Sequence, residues 1–436
     1  MNAISPIVSP LVTPLSDAAF ALTFALLLLC PLAIAGMALV NAGLGRSRSA
    51  AQLLLGDLTL VAVTAIVFLF VGASFAGTLG GSEVVFHIAG KSWSVLGLSP
   101  FLLRGFAAAP VQSQLALLFQ FLAVAMAALI PWGSGADRWR LAAGCSVAAV
   151  LAGIVFPLAA HWIWNGGWLA QLGLNFSLGA GFLDIGGAAA VHTLGGITAL
   201  VIVWTAGPRR GKFPKEGLST AMPGHSAVYV LFGCLLAFVG WLAWNAAGAL
   251  LWLHVPLAAL PVTAVNTLLS ASGALAATFS VTRFRFGKPD ASLCANGWLA
   301  GLVASSACAA IVSPAASLFI GGVAGLFTPL LVELFELVLS VDDPSGAITV
   351  HGVAGIWGLV AAGIFSPASG QLIAQLVGIA ALLGVTLPLI YLFCVLLNRI
   401  VPFRADADGE RIGMDLHELG GSAYPEFVIH RDESYR

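Results

Sequence analysis

Val191-His192-Thr193-Leu194-Gly195-Gly196-Ile197 and Val350-His351-Gly352-Val353-Ala354-Gly355-Ile356 carry one pattern, V-H-x-x-x-G-I, twice in the chain. Each copy lies inside a long apolar run, and about 20 such residues cross a ~30 Å hydrocarbon layer as a helix. Working outward from these two runs, the sequence holds about eleven of them, at roughly 18–43, 51–76, 112–133, 141–163, 185–206, 223–251, 257–282, 292–311, 315–340, 347–366 and 371–400. The two motifs fall in the fifth and tenth. Five is odd, so a five-helix unit followed by its copy must cross in opposite directions, the inverted repeat common in transporters. The fold class expected is therefore an all-α integral membrane protein, a 5+5 inverted repeat plus a last long helix.

Composition supports this reading. Of 436 residues 59% are hydrophobic and only 8% charged, with 50 Gly and 12 Trp and a mean hydropathy of +1.00. A water-exposed domain carries roughly a quarter of its residues as charges, so lipid must be the solvent for most of this chain. Nucleic-acid binding and ordinary cytosolic catalysis are excluded on that ground. No HExxH, GxSxG or paired carboxylates fall within a span, which argues against an intramembrane hydrolase and for no enzyme activity. Cys30, Cys145, Cys234, Cys294, Cys308 and Cys394 are scattered in apolar runs without metal-ligand spacing and read as small hydrophobes. No cofactor is expected.

Basic residues set the orientation, because cytoplasmic loops retain Lys and Arg. One face collects Arg46, Arg48, Arg138, Arg140, Arg209, Arg210, Lys212, Lys215, Arg283, Arg285, Lys288 and the tail arginines, against Lys91 and Arg104 on the other. The N-terminus is then outside and the C-terminus cytoplasmic. The first run follows a polar leader without Lys or Arg and is too long for a cleaved signal. Residues 1–402 form the transmembrane domain and 403–436 a polar cytoplasmic tail, with no signalling domain expected after it.

At 1.5 Å per residue, His192 and His351 sit near mid-membrane from opposite ends. A lone histidine there is as readily a packing residue as a functional one. Two at matched depth in a duplicated motif point to function. No third ligand accompanies either, so a metal site is not supported. Gly196 and Gly355, one turn further on, leave room for close helix approach. Asp184, eight residues before His192, suits an N-cap for the fifth span and also adds negative potential where a cation would arrive.

These features, with Gly36-Met-Ala-Leu-Val-Asn-Ala-Gly-Leu44, Gly240-Trp241-Leu-Ala-Trp244-Asn245-Ala, Val265-Asn266-Thr267 and Val341-Asp342-Asp343-Pro344, resemble the ammonium transporter family (Amt/Mep/Rh) over nearly the whole chain. The resemblance implies a homotrimer of eleven-helix protomers in the bacterial inner membrane, each with its own narrow apolar pore for ammonium or ammonia, with methylammonium as a candidate analogue. It implies that His192 and His351 are the pore pair, that Asp184 shapes the outer vestibule, and that Trp164 faces the incoming ion by a cation–π contact. By position alone, Trp164 would be an interfacial belt residue. Three positions depart from the family pattern: Ala123 stands where a gating Phe is expected, Trp244 replaces the partner Phe beside Asn245, and Gly248 replaces a serine that offers its hydroxyl to substrate. Either Trp244 fills the space left by Ala123, or the site is retuned for another ligand.

Solvation sets the expected mechanism. A bare ammonium ion in a low-dielectric lumen costs many kcal/mol, whereas neutral ammonia crosses readily between neutral imidazoles, and potassium has no proton to give up. The rival reading is an ammonium sensor of the same fold that binds rather than conducts and signals to a cytoplasmic partner. Gly413-Met-Asp415-Leu-His-Glu-Leu-Gly-Gly-Ser-Ala-Tyr424 resembles the family's coupling tail, with Leu419 and Gly421 in place of two hydrogen-bonding residues, so weaker docking is expected. The resemblance also implies a PII-type regulator as a candidate partner at the cytoplasmic face.

Overall fold

Apolar runs in lipid must satisfy every backbone N–H and C=O internally, and helices do this without a partner. The computed structural model describes residues 15–427. Among the described residues, ten helices are long and apolar enough to cross a membrane: Asp17–Leu44, Ser47–Ala76, Val111–Ser134, Leu141–Ile163, Ala188–Ala206, Ala227–Trp252, Leu257–Phe286, Pro314–Val338, Ile348–Phe365 and Gln371–Ile400. A shorter apolar helix, Ala291–Ser305, takes the eighth place, and tight turns carry it on toward Val312. The eleven runs read from the sequence are thus the eleven helices, and the first is broken at Cys30 by Pro31.

Burial shows which helices line the centre. The third and fifth are 83% buried and the tenth 67%, against 28% for the first, second and last, whose outward residues face lipid. Five cysteines are buried and Cys145 is half-buried, all as free thiols.

One element was not signalled as part of an all-α chain. β1 (Ser82–Ile88) and β2 (Lys91–Leu98) pair antiparallel between the second and third spans. Ala89 and Gly90, both at positive φ, make its two-residue turn. The hairpin covers the end of the fourth span: Trp162 Nε1 donates to Val95 O at 2.8 Å, and Trp168 N to Ser94 O at 2.8 Å.

The tail, from Phe403 to Phe427 as described, is docked. Asp415 accepts from Ala51 N and Gln52 N at the start of the second span, and Glu418 from Leu141 N at the start of the fourth. Both carboxylates therefore cap helices that the membrane domain leaves open. Leu419 and Gly421, expected to weaken docking, are exposed.

Candidate functional site

The fifth and tenth spans begin alike. Asp184 accepts at one oxygen from Ala189 N and Ala190 N, each 3.0 Å away, and Asp343 accepts from Ile348 N at 2.8 Å. Gly187 and Gly346, three residues after each aspartate, turn the chain at φ +86° and +70°, values costly for any residue with a Cβ. The fifth helix therefore starts at Ala188, later than the run beginning near 185 suggested. Both helices open with a π-helical turn, Ala188–Thr193 and Ile348–Val353, and each turn holds its histidine. The repeat is longer than it first reads: D-x-x-G-A-x-x-V-H-x-x-x-G-I runs from Asp184 to Ile197 and from Asp343 to Ile356. Asp343 is thus the counterpart of Asp184 on the opposite face. Its identical spacing to His351 was the available signal.

The two helices cross at Gly196, where a Cβ would stand 2.2 Å from Gly352 N. That crossing brings the histidines together. His192 Nδ1 and His351 Nδ1 are 3.2 Å apart and both side chains are buried. A hydrogen bond between two Nδ1 atoms needs one N–H and one lone pair, so at least one ring is neutral. With both neutral, one outward Nε2 is a donor and the other an acceptor. Trp241, missed as a site residue, stacks on His192 at 5.0 Å and 12° while its N–H donates to Ser306 Oγ at 2.9 Å.

Above the pair lies an aromatic lid. Trp164 stacks flat on Trp252 at 5.2 Å and 2°, and its N–H donates to Asp184 O at 2.7 Å. Phe119 touches Trp164, Trp244 and Trp252 at 5.4, 5.4 and 5.6 Å. Trp164, Asp184 and Trp252 enclose a space of about 10 Å³, the room of one water. Asp184 Oδ1 is buried and has no hydrogen-bond partner among the described residues. Ala123 is fully buried one turn after Phe119 on the same helix, and Trp244 is buried against Phe119. Neither Phe119 nor Trp252 is marked in the sequence as a site residue, because each is one more aromatic in an apolar helix.

Gly248 serves packing here, because a Cβ would lie 2.0 Å from Ile185 O. Asn245, also buried, donates to Thr267 Oγ1 and Ser305 Oγ at 3.0 Å each, tying the sixth span to the seventh and eighth. Both residues hold the outer segment in place from behind.

On the opposite face an open cavity of about 710 Å³ reaches Asp343 and Gly346. Beside it Arg209 bridges Asp137 and Asp342 at 3.0 and 2.8 Å, and Arg138 lies 3.7 Å from Asp342. Burial by itself raises the Asp342 carboxyl, but Arg138 and Arg209 outweigh it and hold Asp342 below the usual value. Burial lifts Asp343 above its usual value.

An inverted pair of helices meeting at a buried histidine pair, with an aromatic lid on one side and a cavity reaching Asp343 on the other, is the arrangement of a membrane transport protein. Comparison with known proteins makes this specific. The Ammonium Transporter Family model matches residues 19–424. Ammonium transporter Amt2 of Archaeoglobus fulgidus is 31% identical, over 92% of this chain and 86% of its own. Ammonium transporter Amt1 of Haloferax mediterranei is 31% identical over 90% of this chain and 76% of its own. Among solved structures, a Sensor Amt Protein superposes with a TM-score of 0.83 at 25% identity, covering 92% of this chain and 98% of that one. Mep2 of Candida albicans shares the fold with a TM-score of 0.77 at 23% identity, over 94% of this chain and 91% of its own. The chain belongs to the ammonium transporter family, whose members are transport proteins and not enzymes. Its function is ammonium transport, and the His192–His351 pair fits a twin-histidine pore.

Proposed function

We propose that ammonium enters on the face bearing Asp184, loses its proton under the aromatic lid, and crosses as ammonia beside His192 and His351. The observation that carries this is the shared Nδ1···Nδ1 hydrogen bond in a buried site. At the entrance, the unpaired Asp184 Oδ1 is an acceptor for one ammonium N–H, and an indole face left open by the Trp164–Trp252 stack attracts the cation by roughly 0.5–2 kcal/mol. Trp244, packed on Phe119 one turn before Ala123, closes the lid over the histidines. Within the lumen ammonia presents three N–H groups and one lone pair, so it can bond to the acceptor Nε2 of one imidazole and to the donor Nε2 of the other. The proton it leaves finds a path along the histidine pair, and ammonia is protonated again in the cavity near Asp343.

The entrance face is outside and the tail cytoplasmic, which the distribution of Lys and Arg supports. The assembly is a homotrimer in a bacterial inner membrane, as the family resemblance implies, and the basic cytoplasmic face is the place for a PII-type regulator. A second reading has one specific observation behind it, the likeness to a Sensor Amt Protein: the flush Trp164–Trp252 stack would then bind ammonium without passing it on.

Purified protein in liposomes on a solid-supported membrane decides between them. Ammonium and methylammonium pulses should give currents and potassium none. His192→Ala and His351→Ala should each abolish ammonium flux or admit potassium while leaving the oligomer intact. No current from the unaltered protein, alongside calorimetric binding of ammonium, would replace transport by sensing. Unchanged rate and selectivity in both variants would remove the histidines from the path.

A further inference from the structure

The hairpin meets the fourth span through a chain of polar contacts that the transport path does not use. Ser94 Oγ lies 2.6 Å from Glu83 Oε2 and 2.8 Å from His161 Nε2, and His161 Nδ1 lies 3.1 Å from Ala76 O. Ser94 and His161 are each 1% exposed, while Glu83 is open to solvent.

Counting hydrogens fixes how many protons this chain needs. A carbonyl only accepts, so His161 Nδ1 must carry a hydrogen. If Nε2 carries one too, it donates to Ser94 Oγ, and the Ser94 hydroxyl donates to Glu83. If Nε2 is bare, Ser94 donates to it, and a protonated Glu83 donates to Ser94. Both arrangements make all three bonds with one titratable proton on the Glu83–His161 pair. When that proton is gone, the single Ser94 hydrogen cannot serve both neighbours, and two acceptor atoms face each other across one of the contacts.

The chain continues inward. Ala76 O also accepts from Asn165 Nδ2 at 2.8 Å; Asn165 Oδ1 accepts from Gln120 Nε2 at 3.1 Å; and Thr78 Oγ1 donates to Gln120 Oε1 at 2.6 Å. Asn165 follows Trp164 and Gln120 follows Phe119, so the network ends beside two rings of the lid. The other titratable groups on neighbouring elements are engaged elsewhere: His87 with Ser92, Lys91 with Asn175 O, Asp184 with Ala189 N and Ala190 N, and His192 with His351.

We propose that the hairpin is a pH-operated latch: one proton shared by Glu83 and His161 through Ser94 holds it on the fourth span and, through Asn165 and Gln120, fixes Trp164 and Phe119. The latch is closed at acidic pH and opens as pH rises and the pair gives up its last proton. Only its effect on transport rests on reading the lid as the entrance.

Hydrogen exchange of the β2 amides in the purified full chain tests the latch without any transport assay. After correction for the chemical rate, exchange should rise about five- to tenfold between roughly pH 4 and pH 8, the loss of one hydrogen bond across the range in which carboxylate and imidazole groups titrate. In Glu83→Gln the amide donates to Ser94 and Ser94 to His161, so every bond survives without a titratable proton. That variant should stay protected at both pH values. Ser94→Ala should exchange fast at both. Equal exchange at the two pH values in the unaltered protein, or the same rise in Glu83→Gln, overturns the proposal.

Discussion

Trp244 and Gly248 were both read from the sequence as departures at the outer site, and their surroundings separate them. Trp244 is buried against Phe119, so Trp244→Ala leaves a void of indole size, costing about 3–5 kcal/mol if it stays dry. We expect it to fill with water and to pass ions, seen as potassium current in liposomes. Ala123→Phe puts a second ring into a fully buried position one turn from Phe119, and overpacking should slow ammonium flux. Rejection of potassium by Trp244→Ala at the original ammonium rate would show that Trp244 does not close the lumen. Gly248 has no such latitude, since its neighbour is backbone. His192 and His351 were legible because an imidazole at mid-membrane depth is unusual in lipid, and Asp184 because it is a carboxylate at a span end, whereas an indole at a span end is common and Trp164 was marked only by the family resemblance. Phe119 and Trp252 were not, because an aromatic residue in an apolar helix carries no mark until its neighbours are known.

Helices followed directly from the sequence because hydrocarbon leaves an apolar run no other way to satisfy its backbone. Their bounds agree to within a few residues except at the eighth, expected to reach 311 but ending at Ser305 where tight turns take over, and at the fifth, where Gly187 delays the start. Such turns depend on the tertiary frame and have no composition signature. The hairpin was missed since seven to eight residues between spans leave too short a pattern beside helices of more than twenty. Asp343 is marked as the partner of Asp184 only by its equal spacing to the following histidine. Its carboxylate accepts from Ser134 Oγ at 2.8 Å as well as from Ile348 N, so Asp343→Ala strands buried donors at roughly 1–3 kcal/mol. Asn keeps one acceptor oxygen. Transport should therefore fall steeply in Asp343→Ala and less in Asp343→Asn, and Asp184 should show the same order. Equal flux for both Asp343 variants would mean that the cap does not set the position of His351.

Across the whole molecule, the tail joins elements far apart in the sequence. Asp415 and Glu418 cap the second and fourth spans, and Tyr424 OH meets His225 Nε2 at 3.0 Å. Each lost cap costs roughly 0.5–2 kcal/mol. Deleting everything after Arg404 should lower the thermal midpoint and the transport rate while the oligomer persists in size-exclusion chromatography. Unchanged flux would make the tail a passive cover. Family likeness pointed to a docked tail, but composition alone describes it as solvated polar chain. Only the helix ends it reaches explain why Asp415 is buried.

The two histidine frames, Asp184 to Ile197 and Asp343 to Ile356, present the same device to both faces of the bilayer. A permeant crossing between the faces passes the same histidine pair in either direction, with the lid on one side and the open cavity on the other. Detailed balance then forbids pumping: tightening the lid changes how fast ammonium moves either way but not the gradient at which influx and efflux cancel. A cell using this protein could not store ammonium behind it by structure alone. Net accumulation would have to come from the electrochemical force on whatever is carried, or from reactions that consume ammonium once it is inside.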